Sequence, residues 1–422
     1  MDDMRLGAPP AARLPGAVWA VIFAGVAAAL HMGKLSPALP VLQQALGVSL
    51  VQAGFLLSLV QGAGMTLGLA AGLAADSIGL KRSMLIGLAI ITLASIGGAQ
   101  VQAGPHAVTS LLALRALEGV GFLLTVMPGP GLLRALVPVG RDKLVSGLWG
   151  SYFPLGVALA LLAGPALIAA MGWTGWWWVA SLVSTAAALS VAFAVPDDPR
   201  GAGAGDNKPS AWRARLMDTV RTPGLRRVAL AFAVYSSQWV AVIGFLPVIY
   251  TNAGVPAGWT AVLTAVAAAM NIAGNLVGGT LLQRGVAAPR LLVTGFALMM
   301  LGGLAAFSQW GQGGDALALP PALRYGAVCL FSLAGGVVPA SLFMLVVRLA
   351  PGPQSVSTAV GFMQQTSALG QFAAPPIVGW VAHAAGGWQL TWVLTGACSL
   401  CGIWLATRLG RAEALTLRRG AA

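Results

Sequence analysis

VQAGFLLSLVQGAGMTLGLAAGLAADSIGLKRSMLIGLAIITLASIGGAQVQA, residues 51–103, is the stretch whose reading decides the architecture. It divides into two apolar runs, near 51–73 and 84–103, on either side of a turn that carries Lys81 and Arg82. Each run is about 20 residues, the length at which a helix crosses the hydrocarbon of a bilayer. The pattern continues outward in both directions. All but three of the 24 Lys and Arg residues fall in every second turn: Arg5 and Arg13; Lys81 and Arg82; Arg134, Arg141 and Lys143; the group from Arg200 to Arg227; Arg284 and Arg290; Arg348; and the group from Arg408 to Arg419. Between consecutive groups lie two apolar runs joined by a turn almost free of cations. That alternation is the positive-inside pattern of a polytopic membrane protein. The three exceptions are Lys34, Arg115 and Arg324.

Composition agrees. The chain is 58% hydrophobic and 8% charged, where soluble domains carry roughly 25% charged residues. Its net charge of +13 sits beside apolar runs, so the expected neighbour is anionic lipid and not nucleic acid. Twelve spans are expected, near 17–39, 51–73, 84–103, 107–130, 144–170, 174–195, 227–250, 259–282, 289–309, 323–346, 356–382 and 388–408. An even number puts both termini on one face, and the basic turns make that face the cytoplasmic side of a bacterial inner membrane. The first run is too long for a signal peptide and contains Lys34, so it is expected to stay as a span. Cys329, Cys398 and Cys401 all fall in spans; despite the C-x-x-C spacing of the last two, no other ligand type is near, and they read as apolar filling with no disulfide or metal role.

The longest polar segment, 196–226, divides the chain into a bundle over 1–195 and a bundle with a short tail over 227–422. Its second half places Trp212, Leu216 and Val220 four residues apart with Arg213, Arg215 and Arg221 on other faces, a short amphipathic helix suited to the inner leaflet. The two bundles resemble each other. Gly72-Leu-Ala-Ala-Asp76 precedes the basic turn after span two, and Gly279-Thr-Leu-Leu-Gln283 precedes Arg284 after span eight. Gly164-Pro165 and Pro375-Pro376 take comparable places in spans five and eleven. The fold expected is an all-α membrane protein of twelve transmembrane helices in two pseudo-symmetric six-helix halves, a common way to build a secondary transporter with its site between the repeats.

The turn Gly72-Leu-Ala-Ala-Asp76-Ser-Ile-Gly79-Leu-Lys81-Arg82 resembles the G-x-L-a-D-r-x-G-r-k loop of the major facilitator superfamily, with Ser77 and Leu80 in places that are usually basic. Arg115-Ala-Leu-Glu118-Gly119-Val-Gly121 resembles the family's R-x-x-q-G-x-g signature in span four, with Glu118 in place of glutamine. Within the family, Lys34-Leu-Ser-Pro37-Ala-Leu-Pro40 and Leu46-Gly47-Val48-Ser49 are similar to the cyanate-permease-like branch of small-anion carriers. Gly164-Pro165 is similar to the antiporter signature of drug exporters, but its closing glycines are missing. The resemblance implies alternating access, a monomer, and a gating role for Gly72, Asp76, Gly79, Lys81 and Arg82.

No nucleotide-binding loop and no nucleophile–base set stands out, so an enzyme or an ATP-driven pump is not expected. No cofactor or metal is implied. What remains is a short set of polar groups inside spans, where a charge is costly and faces a cavity or a partner. His31 and Lys34 lie three residues apart in span one, Arg115 and Glu118 three apart in span four. A guanidinium can grip an anion with two parallel hydrogen bonds, so Arg115 leads as a substrate ligand, against the alternative of a structural pair with Glu118. Lys34 either helps to hold an anion or snorkels to the outer headgroups. Glu118 is the candidate for proton coupling, and His31 titrates in the useful range if it is reached. The second half offers neutral groups: Tyr235, Gln238 and Trp239 in span seven, Asn271 and Asn275 in span eight, and Gln364 in span eleven. Trp173, Trp176, Trp177 and Trp178 cluster at an outer turn and read as interfacial anchors, as do Trp388 and Trp392. The function expected is secondary, proton-linked or facilitative transport of a small anionic solute; the alternative is a proton-coupled exporter of drugs or metabolites.

Overall fold

The computed structural model describes residues 14–137, 145, 148–197, 217–309, 318–351 and 356–420. Span one is two helices, Gly16–Gly33 and Leu35–Leu46, meeting at Lys34. Pro37 lacks an N–H, so the carbonyl of Gly33 has no helical donor four residues on, and Pro40 does the same to Ser36. Span two begins at a capping box in which Ser49 and Gln52 bond reciprocally, an arrangement that satisfies two free N–H groups at once. It is bent by 45° between Leu50–Ser58 and the following helix Val60–Ile78. Leu80–Ala99 is span three, and Ala107–Val126 is span four, extended by the short helix Gly129–Leu136.

Spans five and six form one 43-residue run, Tyr152–Ala194, interrupted at Gly172. Its φ of 73° lies in the left-handed region, which glycine adopts without a Cβ penalty. The turn between these spans is therefore a single residue, tighter than the expected gap. Pro223–Asn252, Ala257–Gln283, Ala288–Phe307, Pro321–Leu349, Val356–Ala384 and Thr391–Gly420 are spans seven to twelve. Among the described residues, nine helices are long and apolar enough to cross a membrane, ten with the bent pair. Of the expected amphipathic stretch, Trp212 to Leu216 lie outside the described residues, while 217–221 are described and helical.

The two halves repeat their packing. Span one lies on span five as span seven lies on span eleven, and span three lies on four and six as span nine lies on ten and twelve. Small residues permit these approaches. Gly156 faces Val26, Ala29 and Leu30; Gly87 faces Gly121 and Thr125. Across the halves, span two runs along eleven and span five along eight. At the face away from the termini the seam is apolar: Gly54 sits on Pro375 and Pro376, Gly379 on the Leu50 carbonyl, and Leu39, Leu42, Phe245 and Val378 join one buried cluster. The glycine repeat of span two also lies on this seam, Gly64 against Ala368 and Gly68 against Gln365.

Close backbone contact makes some glycines irreplaceable. A methyl at Gly274 would run into the Leu333 carbonyl of span ten, while one at Gly279 would meet nothing within 4 Å. Gly274→Ala is therefore expected to lose about 1–3 kcal/mol through overpacking. Gly279→Ala should be neutral or gain up to about 1 kcal/mol from helix propensity. Thermal melting of the purified variants compares the two; equal melting temperatures would refute this packing.

Candidate functional site

The four in-span groups of the first half converge. Lys34 Nζ donates to Glu118 Oε1, and to Ser95 Oγ of span three at 2.8 Å. Arg115 Nη1 donates to Glu118 Oε2 at 2.6 Å. His31 Nδ1 lies 3.4 Å from Lys34 Nζ and 3.7 Å from Glu118 Oε1, and its Nε2 lies 3.0 Å from the Ala180 carbonyl. All four are sealed, between 0% and 3% exposed. One carboxylate thus serves two cations. In a low-dielectric interior such a charge is tolerated only with close partners.

Arg115 does more than pair. Its Nε donates to the Leu56 carbonyl at 3.0 Å, Nη1 also to His31 O at 2.6 Å, and Nη2 to Met32 O at 2.9 Å. Those carbonyls sit just before the breaks of spans two and one, where helical donors run short. The guanidinium ties both breaks to span four, and its planar fork makes this possible where an ammonium would not. The expected grip of Arg115 on a substrate is, in this structure, a grip on the protein's own carbonyls.

Lys34 does not snorkel. It is 1% exposed, because Glu118 supplies a partner nearer than any headgroup. Its Nζ also lies 4.9 Å from the ring centroid of Trp177, a cation–π contact. The neighbouring Trp176 donates from Nε1 to the Lys34 carbonyl at 2.9 Å. Trp176 and Trp177 are therefore walls of the network, not interfacial anchors; of the cluster, Trp178 is exposed. Sequence position locates a residue along a span but not around it, so these walls and Ser95 were missed. Arg324, the third exceptional cation, donates from Nε to the Ala306 carbonyl near the end of span nine, where a cation meets the negative pole of the helix.

In the second half Tyr235, Asn271 and Asn275 form one network. Asn271 Nδ2 donates to Tyr235 Oη at 3.0 Å and to Ser332 O at 3.1 Å; Asn275 Nδ2 donates to Asn271 Oδ1 at 3.3 Å. Trp239 Nε1 donates to Ser332 Oγ at 3.0 Å, and its ring centroid is 6.5 Å from that of Phe153 in span five. This network consequently reaches the seam between the halves. Gln238 is separate: fully buried, it accepts from Ser399 Oγ of span twelve at 3.2 Å and leaves Nε2 unpartnered. Gln364 is exposed and joins neither network; its neighbour Gln365 donates to Met65 O across the halves at 2.7 Å.

At the basic turn, Gly79 adopts φ 108° and opens span three. Lys81 is buried and donates to the Ala192 carbonyl at 3.0 Å and to Asp197 at 2.8 Å, joining the start of span three to the end of span six. The Lys81 ammonium holds the Asp197 carboxyl below the usual carboxylate range. Arg82 is exposed. The side chains of Gly72 and Asp76 lie outside the described residues.

The model of the Major Facilitator Superfamily matches residues 21–375. An uncharacterized MFS-type transporter of Mycobacterium tuberculosis is 32% identical over 31% of this chain and 22% of its own length. A multidrug efflux protein of Bacillus subtilis is 25% identical over 55% of this chain and 56% of its own. The matched parts thus span about a fifth and about half of those relatives. The crystal structure of a bacterial homologue of the human lysosomal transporter Spinster, inward-facing and occupied, superposes with a TM-score of 0.73 at 15% identity, covering 93% of this chain and 96% of that one. At that identity the likeness is one of fold.

Proposed function

Since the chain belongs to the Major Facilitator Superfamily, and is thus a multi-pass membrane transporter and not an enzyme, we propose that it is a proton-linked secondary carrier of a small anionic solute. It works as a monomer, rocking two six-helix halves, 1–195 and 227–422, about a central path, with both termini in the bacterial cytoplasm. The observation that carries this reading is the sharing of Glu118 by Lys34 and Arg115. With His31 neutral, the network keeps one surplus positive charge in a low-dielectric bundle. Its field favours an anion in the path without needing to touch it. A proton on Glu118 removes the negative charge that both cations share and strengthens the positive field that an anion in the path meets. Each event favours the other, and such linkage is reciprocal; that is the condition for symport.

Tyr235, Asn271, Asn275 and Trp239 supply the neutral wall that orients the solute. Gly79, Lys81 and Arg82, with Gly72 and Asp76, serve as the gate at the cytoplasmic face. Counterflow in proteoliposomes against a panel of labelled monovalent and divalent anions, with and without an imposed pH gradient, tests the proposal. We expect exchange of at least one anion at equal pH and its accumulation when the outside is acid. Absence of exchange across the whole panel would sink it.

A second reading, proton-coupled export of drugs or metabolites, draws on the likeness to the multidrug efflux protein of Bacillus subtilis. Broad resistance of expressing cells to lipophilic inhibitors, with no anion exchange, is the result it requires.

A further inference from the structure

Two cavities lie in line along span four. The first is an open bowl of about 770 Å³ at the turn between spans three and four, bearing Gln100, Gln102, His106 and Ser110. These groups are polar and mostly exposed, so this end of the bowl is suited to contact with water. The second is a small, partly enclosed space of about 10 Å³ bounded by Leu111, Arg115, Glu118 and Trp177. That is near the smallest volume that admits one water, which also needs polar partners; Arg115 and Glu118 provide them. Leu114 lines both cavities. It lies four residues before Glu118, about 6 Å along the helix.

The other sides of the network are closed by firmer walls. Below it, Gly119 presses on the backbone of Val60 and Gly121 on that of Gly87. At its flank stand the buried rings of Trp176 and Trp177. Leu114, by contrast, is a half-buried side chain opposite Gly97, which has no side chain of its own to pin it. Leu114 is the side chain that the bowl and the inner space share, and a side chain can change rotamer without a backbone shift.

We propose that water and protons reach Glu118 from the face away from the termini through the interior of the first half, past Leu114, by a route separate from the solute path. Without local opening, a one-water gap passes hydronium or water and excludes larger solutes, so the coupling group is served without opening the path. The use of this route for coupling rests on the proton-linked reading above; the route itself does not.

The test uses full-length protein in lipid nanodiscs, both faces free, with Cys329, Cys398 and Cys401 replaced by Ser and Leu111→Cys as reporter. Leu111 is 4% exposed and lines the inner space. Labelling by 2-aminoethyl methanethiosulfonate is followed by mass spectrometry. Leu114→Ala is expected to speed labelling about tenfold, because local opening is no longer required. Leu117→Ala, one turn away on the exposed side, should leave the rate within about twofold. Leu114→Val, a milder truncation, gives an intermediate rate and guards against a folding defect in the alanine variant. An unchanged rate with both Leu114 variants, or an equal rise with Leu117→Ala, overturns the route. If labelling follows the expected order but transport of anions in the native protein ignores pH, the route stands and the proton-linked reading fails. If transport follows pH and labelling does not change, the reading stands and the route fails.

Discussion

Glu118→Gln is expected to abolish accumulation driven by a pH gradient while leaving exchange at equal pH. It should also lower stability by about 3–5 kcal/mol, the loss typical when one partner of a buried ion pair is removed. The amide keeps the shape of the side chain but not its charge, so Lys34 and Arg115 are left together with no carboxylate between them. A second substitution separates charge from fold. Adding Lys34→Met replaces the orphaned cation by an apolar group, and such replacement of a buried pair is often neutral or stabilising. The double variant should recover most of the melting temperature and none of the coupling. Recovery of neither would place the loss in packing; a single variant that still accumulates solute would remove Glu118 from the coupling role.

Arg115→Lys has the second large effect, although it conserves charge. The guanidinium spans Leu56 O, His31 O, Met32 O and Glu118 Oε2 through three nitrogens. One ammonium cannot reach acceptors on three spans at once. A buried carbonyl left without a donor costs about 1–3 kcal/mol, and at least two would be left here. We expect a loss of about 3–5 kcal/mol in thermal or denaturant unfolding, with anion exchange reduced in proportion to the folded fraction. A lysine variant within about 1 kcal/mol of native would show that charge alone matters and that the ties to spans one and two are incidental.

The crossings were legible because each stretch of hydrocarbon demands its own apolar run, and the basic turns label alternate ends. The candidate charges were legible for the same reason: His31, Lys34, Arg115 and Glu118 stand out where a polar group is costly. Their partners were not. Spacing paired Arg115 with Glu118 inside one helix, which the structure bears out. Nothing local announced that Lys34 of span one would meet the same carboxylate, or that Ser95 and two indoles would close around it. Rotation about the helix axis is set by tertiary packing, and a lone sequence carries little of it. This is why Trp176 and Trp177 read as anchors, and why Gln364 and Gln365 could not be told apart as the exposed and the bridging residue.

The seam on the far face has a thermal consequence. It joins the halves through glycine faces, proline rings and aliphatic side chains. Contacts of that kind have no preferred direction and draw their strength from water exclusion, which weakens on cooling. Such a surface behaves as a lubricated bearing: it resists being pulled open and yields to sliding. Cold should loosen it before it loosens the charge network, so any opening of the molecule at this end carries a temperature-dependent solvent term.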